Sequence, residues 1–302
     1  MTARTRPLAA LLACLLAVAV LTVSGLSAQA AQTLPALKTR VTGVTVYADQ
    51  KASVDASNLA EGYVLVSYLG GRNVRIKVQI IKQNGVTYLY DLNNRGEAEV
   101  FPLTEGDGTY TIRVLENTTG TKYAQVFTTT LEVKLRSEFL PFLYPNQYVN
   151  YTADSKTAAK AAELVGDKTS ELEKVQGVFQ YVTGNISYDY ALAQSVTTGY
   201  LPEVDRVLEA KKGICFDYAA VMAAMLRSQN IPCKLVIGYA GQVYHAWVDV
   251  YIQGTGWVDK VIYFDGQNWT LMDPTFVSSG GHSDSIMKYV TTKSNYTQAF
   301  AY

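Results

Sequence analysis

The 302-residue sequence has little of what builds a scaffold or a metal centre: three cysteines and two histidines in all. Three cysteines cannot form a disulfide framework, and neither residue recurs at ligand spacing, so no metal and no cofactor is expected. Charge of one sign is also missing, with 26 basic residues against 26 acidic, which argues against nucleic acid as a partner. Past residue 31 no apolar run reaches the roughly 18 to 20 residues that cross a bilayer, so no transmembrane segment is expected in the mature chain. What is present is 48% hydrophobic and 17% charged, enough for one large core or two modest ones.

The N-terminus carries the one long apolar run. Arg4 and Arg6 precede Leu8 to Val23, and small residues end in Ala28-Gln29-Ala30. That is the layout of a secretory signal peptide, residues 1–30, cleaved near Ala30. Leu11-Leu12-Ala13-Cys14 is a lipoprotein-like alternative, but the apolar run continues past Cys14, whereas a lipid-modified cysteine should close it. A secreted or cell-surface protein is expected. Removing two arginines and no acids leaves 24 basic residues against 26 acidic, a balance of −2.

Two textures follow. From Arg40 to about Leu135, Val, Ile, Thr and Tyr alternate with polar residues in "GYVLVSY", "NVRIKVQII", "VTYLYDL" and "GTYTIRVLE". Turn signals such as Asn84-Gly85 and Asp107-Gly108 separate about seven strands, which reads as an antiparallel, Ig-like β-sandwich over residues 31–140. Its charged residues read as the solvated face of a sheet, making this an accessory domain. Prolines and aromatics in "FLPFLYPNQYVNY" (139–151) mark the boundary to residues 141–302. Helical periodicities come next. Ser155 stands as a cap, Ser170 and Glu173 fit a capping box, and "EVDRVLEAKK" stops at Gly213. The segment Phe216 to Gln229 is apolar on every side and must be a core helix. After Pro232 the period turns to two, in "KLVIGYAG", "YHAWVDVYI", "GWVDKVIYF" and "NWTLMDPTF", with a hairpin turn at Asp265-Gly266. Helices followed by antiparallel strands predict an α+β domain.

Cys215 stands just before the core helix, where unpaired N–H groups and the positive end of the macrodipole stabilise an anion. A disulfide with Cys233 is excluded on paper: a helix over 216–229 is roughly 20 Å long, and a bridge needs Cα atoms roughly 4.4 to 6.8 Å apart. A sulfur nucleophile needs a proton acceptor. His245, on a strand between Tyr244 and Trp247, is better held than His282 in "SSGGHSD". An orienting carboxylate could come from Asp249 or Asp273. Asp249 lies on the same strand, roughly 13 Å along it, whereas Asp273 ends a neighbouring strand and can face the histidine across the sheet. A nucleophile on a helix N-terminus, a strand base and an acid on an adjacent strand satisfy a Cys-His-Asp triad.

The blocks "GICFDYAAVMAAMLRSQNIPCKLVIGYAG", "HAWVDVY" and "WTLMDPTF" resemble, in order and spacing, those of the transglutaminase-like superfamily, whose fold is related to papain-type cysteine proteases. The resemblance covers roughly residues 170 to 280. It implies a transglutaminase-like/papain-like catalytic domain, helices packed on an antiparallel sheet, with Cys215 as nucleophile, His245 as general base and acid, and Asp273 as orienter. "NISYDY" resembles the segment that lines the site, which makes Tyr188 a candidate for oxyanion or substrate contacts; Trp247 and Trp257 read as core or cleft wall, Trp247 being the candidate for the site, and the backbone N–H of Cys215 is the oxyanion donor. The expected activity is acyl transfer through a thioester on peptide or glutamine-type amides of a protein or peptide substrate, cell-wall or extracellular, ending in hydrolysis (a peptidase or amidase). Transfer to amines, as in a cross-linking transglutaminase, uses the same triad, and a cell-surface binding module without turnover is the competitor from another class.

Overall fold

Alternation in the first half becomes two antiparallel sheets. The computed structural model describes residues 36–259, 262–264, 269–271 and 296–302; the leader with Cys14 and Ala30, as well as Asp273 and His282, lie outside the described residues. Eight strands succeed one another: β1 (Val46–Ala48), β2 (Ala52–Asp55), β3 (Tyr63–Tyr68), β4 (Ile76–Lys82), β5 (Thr87–Leu92), β6 (Glu99–Pro102), β7 (Gly108–Thr119) and β8 (Lys122–Val133). One sheet runs β1-β2-β3-β6 and the other β5-β4-β7-β8. The alternate residues Tyr110, Ile112 and Val114 of β7 and Ile76, Val78 and Ile80 of β4 are buried with Val54, Val64, Val66 and Phe101 of the first sheet in one apolar cluster, as period-two side chains on facing sheets require.

The second half supplies α1 (Lys156–Val165), α2 (Glu171–Asn185), β9 (Ser187–Tyr188), α3 (Tyr190–Ser195), α4 (Val204–Ala210), β10 (Lys212–Gly213), α5 (Cys215–Ser228), β11 (Cys233–Ala240), β12 (Val243–Ile252), β13 (Gly256–Val258), β14 (Ile262–Phe264), β15 (Trp269–Leu271) and β16 (Tyr296–Ala301). The expected capping box opens α2: Ser170 Oγ accepts the Glu173 N–H, and Glu173 Oε2 accepts the Ser170 N–H at 3.1 Å. At α1 the Ser155 side chain does not cap. The first N–H groups of that helix, from Lys156 and Thr157, are taken by the carboxylate of Asp205 on α4, at 3.0 and 2.8 Å. The left-handed stop of α4 is Lys211 (φ 51°) rather than Gly213.

Gly213 is needed for space. A β-carbon there would stand 2.6 Å from Cβ of Asp217.

The core helix α5 is buried from Asp217 to Ser228, with α1, α2 and α4 packed on it and strands β11 and β12 beneath. Helices on an antiparallel sheet, order β13-β12-β11-β16, give the expected α+β domain. Leu235, Ile237, Ala246, Val248 and Val250 join the cluster that contains α5, while Val236, Ala240, Trp247, Tyr296 and Ala301 form a second cluster, as alternation on β11 and β12 demands. Full burial of Val221, Met222, Met225 and Leu226 contributes about 1.5–3 kcal/mol for each side chain. Arg227, fully buried at the far end of the helix, donates to the carbonyls of Cys233 (2.8 Å), Tyr144 (2.9 Å) and Tyr302 (2.5 Å). Every bond goes to backbone, so three chain segments are tied to one helix. Among the described residues no helix is long and apolar enough to cross a membrane.

Candidate active site

Cys215 is the first residue of α5, preceded by the extended Ile214 (φ −95°, ψ 177°). Three features hold it there. The short parallel pair β9–β10 aligns Ser187 with Lys212 and Tyr188 with Gly213. The Gly213 carbonyl accepts the Asp189 N–H at 2.8 Å. Asp217, with no exposed surface, accepts the Ile214 N–H through Oδ2 at 2.8 Å and the Tyr200 hydroxyl through Oδ1 at 2.7 Å. An isoleucine side chain has nothing to accept with, so only the carboxylate half of a capping box exists here, and the remaining N–H groups of the first turn stay available to an anion. Burial raises the Asp217 carboxyl above its ordinary pKa, against the lowering effect of the Tyr200 bond and the Ile214 N–H. Lys212 is paired with Asp189 at 3.2 Å.

The sulfur end of α5 opens on a cleft of about 670 Å³, which Cys215 and His245 both line. His245 stands near the start of β12 and is buried, 5% exposed. Its neighbour Tyr244, 59% exposed, lines the same cleft; burial raises its phenol, with the charges of Tyr239 and Cys215 adding. Tyr188 also lines the cleft, its ring edge-on to Tyr190 at 4.9 Å. The structure thus brings Cys215, His245 and Tyr188 to one cavity.

Trp247 does not join them. It is 2% exposed and packs edge-on against Tyr296 at 5.3 Å, in the second apolar cluster. Two residues on along β12 from His245 it keeps the same strand parity, but it packs with Val236, Ala240, Tyr296 and Ala301 and does not line the cleft, so of the two roles it takes that of a core residue. Asp273 lies outside the described residues. The strand expected to carry it into register beside the histidine, β15, pairs with β14, and the described partners of β12 are β11 and β13. Cys215 and Cys233 are both free. Cys233 is wholly buried, and burial pushes its thiol up to about 12.

Several cleft residues were not legible as such. Phe216 stacks edge-on with Tyr148 (5.4 Å) and Tyr200 (6.4 Å). Phe300 and Tyr302 line the cleft as well. The sandwich supplies a wall through Lys77, Leu89 and Asp91, although its charged residues read as a solvated sheet face. Asp217 carried a signal that could have been used, an acid at the third position of a helix. No group of three or more metal-ligating side chains occurs among the described residues.

The model of the transglutaminase-like superfamily matches residues 158–260. The Bacillus subtilis (strain 168) protein YebA is 27% identical over 190 residues, 55% of this chain and 25% of its own length. Human kyphoscoliosis peptidase is 27% identical over 152 residues, 46% of this chain and 21% of its own. This chain therefore spans about a quarter or less of those relatives. A solved structure from Cytophaga hutchinsonii aligns with 85% of this chain and 73% of its own at 16% identity and a TM-score of 0.40. The segment 158–260, which holds Cys215 and His245, belongs to the transglutaminase-like superfamily.

Proposed function

We propose that this protein is a cysteine-nucleophile acyl-transfer enzyme, exported by its N-terminal signal, that acts on peptide or glutamine-type amides and releases the acyl group to water. The observation that carries the reading is the position of Cys215: first residue of a buried helix, facing a cleft that His245 shares. The sulfur attacks the amide carbon while His245 takes the thiol proton. A tetrahedral oxyanion forms, held by the N–H groups at the start of α5. As the C–N bond breaks, the imidazolium returns the proton to the leaving amine and a thioester remains. Water, deprotonated by His245, attacks the thioester, and the thiol is regenerated with the acid. Asp273 is the orienter in this scheme, and Cys215 N–H is one oxyanion donor.

Hydrolysis and amine transfer share every step up to the thioester. Incubating the protein with a glutamine peptide, with and without a primary amine, and weighing the products separates them. A gain of one mass unit with ammonia release marks an amidase, backbone cleavage a peptidase, and amine incorporation a transglutaminase. An unchanged peptide in all arms, with the same result for Cys215→Ala, favours a binding module.

A further inference from the structure

The sandwich does more than precede the helical half: strands β4 and β5 form one wall of the cleft that holds Cys215. On that wall Lys77 and Asp91 are register partners across the two strands, and their side chains form an ion pair at 2.6 Å. The two members are not equally available. Lys77 is 16% exposed and Asp91 41%, so the ammonium is the buried member and the carboxylate is the one shown to the cleft. Oδ1 of Asp91 is bound to Lys77; among the described residues Oδ2 has no hydrogen-bond partner. It lies near Gly199 of the 196–201 segment, where a β-carbon would sit 3.5 Å from it.

The surroundings favour a cation. Asp91 and Lys77 carry the only side-chain carboxylate and the only side-chain ammonium among the described residues lining the cleft. Tyr148, Phe216 and Tyr244 line it as well, and aromatic faces attract cations. The Asp91 charge already reaches Tyr148, whose phenol is pushed up to about 12 by burial and then by that carboxylate. Exposed Leu89 beside the pair offers apolar contact for an aliphatic stem.

From this placement we propose that Lys77 and Asp91 form a specificity subsite: Asp91 accepts a lysine- or arginine-type cation of a peptide substrate, while Lys77 fixes the carboxylate from below. The inference rests on the acyl-transfer reading for its biological use but not for its test. Peptides built around one glutamine, with lysine or norleucine moved through the three positions on either side, are titrated calorimetrically into the full chain carrying Cys215→Ala. Binding is read without turnover, so this result and the product analysis above fail independently.

The expected outcome is one position at which lysine binds about tenfold more tightly than norleucine, the ratio that a charge-assisted bond at a half-exposed carboxylate supports. Asp91→Asn should bring the ratio close to one. Lys77→Met keeps the carboxylate and frees its second oxygen, so the preference should persist or grow; a merely structural ion pair would lose nothing specific to lysine in either variant. Equal affinity for the two peptides at every position, or no measurable binding of either, overturns the subsite.

Discussion

Replacing Asp217 by alanine should cost about 2–3 kcal/mol of folding stability, and most of that cost should be shared with Tyr200. The carboxylate makes two bonds, to the Ile214 N–H at 2.8 Å and from the Tyr200 hydroxyl at 2.7 Å. Each is charge-assisted and worth about 1.5–3 kcal/mol before the return of the buried charge to water is credited. Tyr200→Phe removes one of them and should cost about 1 kcal/mol; the double variant should show a coupling of about 1–1.5 kcal/mol. Urea melts of the four proteins measure this as shifts in midpoint at constant slope. The pH dependence has a definite sign. Burial raises the Asp217 carboxyl from its ordinary 3.8, so the folded chain holds this proton more tightly than the unfolded chain does. Its contribution to stability is therefore greatest at low pH and is lost as pH rises from about 3.8 through the folded-state value. The amide introduced by Asp217→Asn does not titrate, and the stability of that variant relative to the parent should improve between pH 4 and pH 7. Additive single variants would refute the bridge between helix and loop. A relative stability of the asparagine variant that worsens with pH would refute the dominance of burial.

Further outcomes follow from the packing. In native protein at pH 8, Cys233 should not be alkylated by iodoacetamide, since its thiol is pushed up to about 12 and is wholly buried; peptide mapping should find that label only after denaturation. Gly238→Ala places a β-carbon 2.1 Å from the Thr297 carbonyl and 2.8 Å from the Trp247 ring, so it should destabilise by about 1–3 kcal/mol and raise hydrogen exchange along β16. Arg227→Met fills the volume but takes one donor from each of the Tyr144, Cys233 and Tyr302 carbonyls, of which Tyr302 keeps the Leu235 N–H at 3.0 Å; a loss of about 3 kcal/mol is expected by chemical denaturation.

Much of the fold could be read because it depends on local periodicity. The Ser170–Glu173 box, the buried character of α5 and the alternating strands of both halves all express short-range rules. So did the separation of Cys215 from Cys233, which needed only the length of a helix. What escaped was set by distant partners. Ser155 looked like a cap, but Asp205, some fifty residues away, supplies the acceptors. Gly213 read as a left-handed stop, yet its role is to leave room for Asp217. Trp247 follows the histidine closely and still belongs to the core, because β16 extends the sheet beyond β11 and its Tyr296 and Ala301 pack with Trp247 and Val236. The sandwich wall of the cleft was invisible for a related reason. Alternation tells which residues of β5 point outward, and nothing in it tells which outward face meets a second layer.

The buried guanidinium of Arg227 has a bearing on the sulfur that stands twelve positions away. At 1.5 Å per residue that separation is about 18 Å along the axis, and the guanidinium end is locked to three crossing strands of main chain. The rod is thereby indexed from its base: it has no freedom to slide or rotate without breaking all three attachments together. Loops around the mouth can be lengthened, shortened or rewritten while the reactive atom keeps its address, so substrate choice in such a protein can drift without disturbing the point where chemistry would occur.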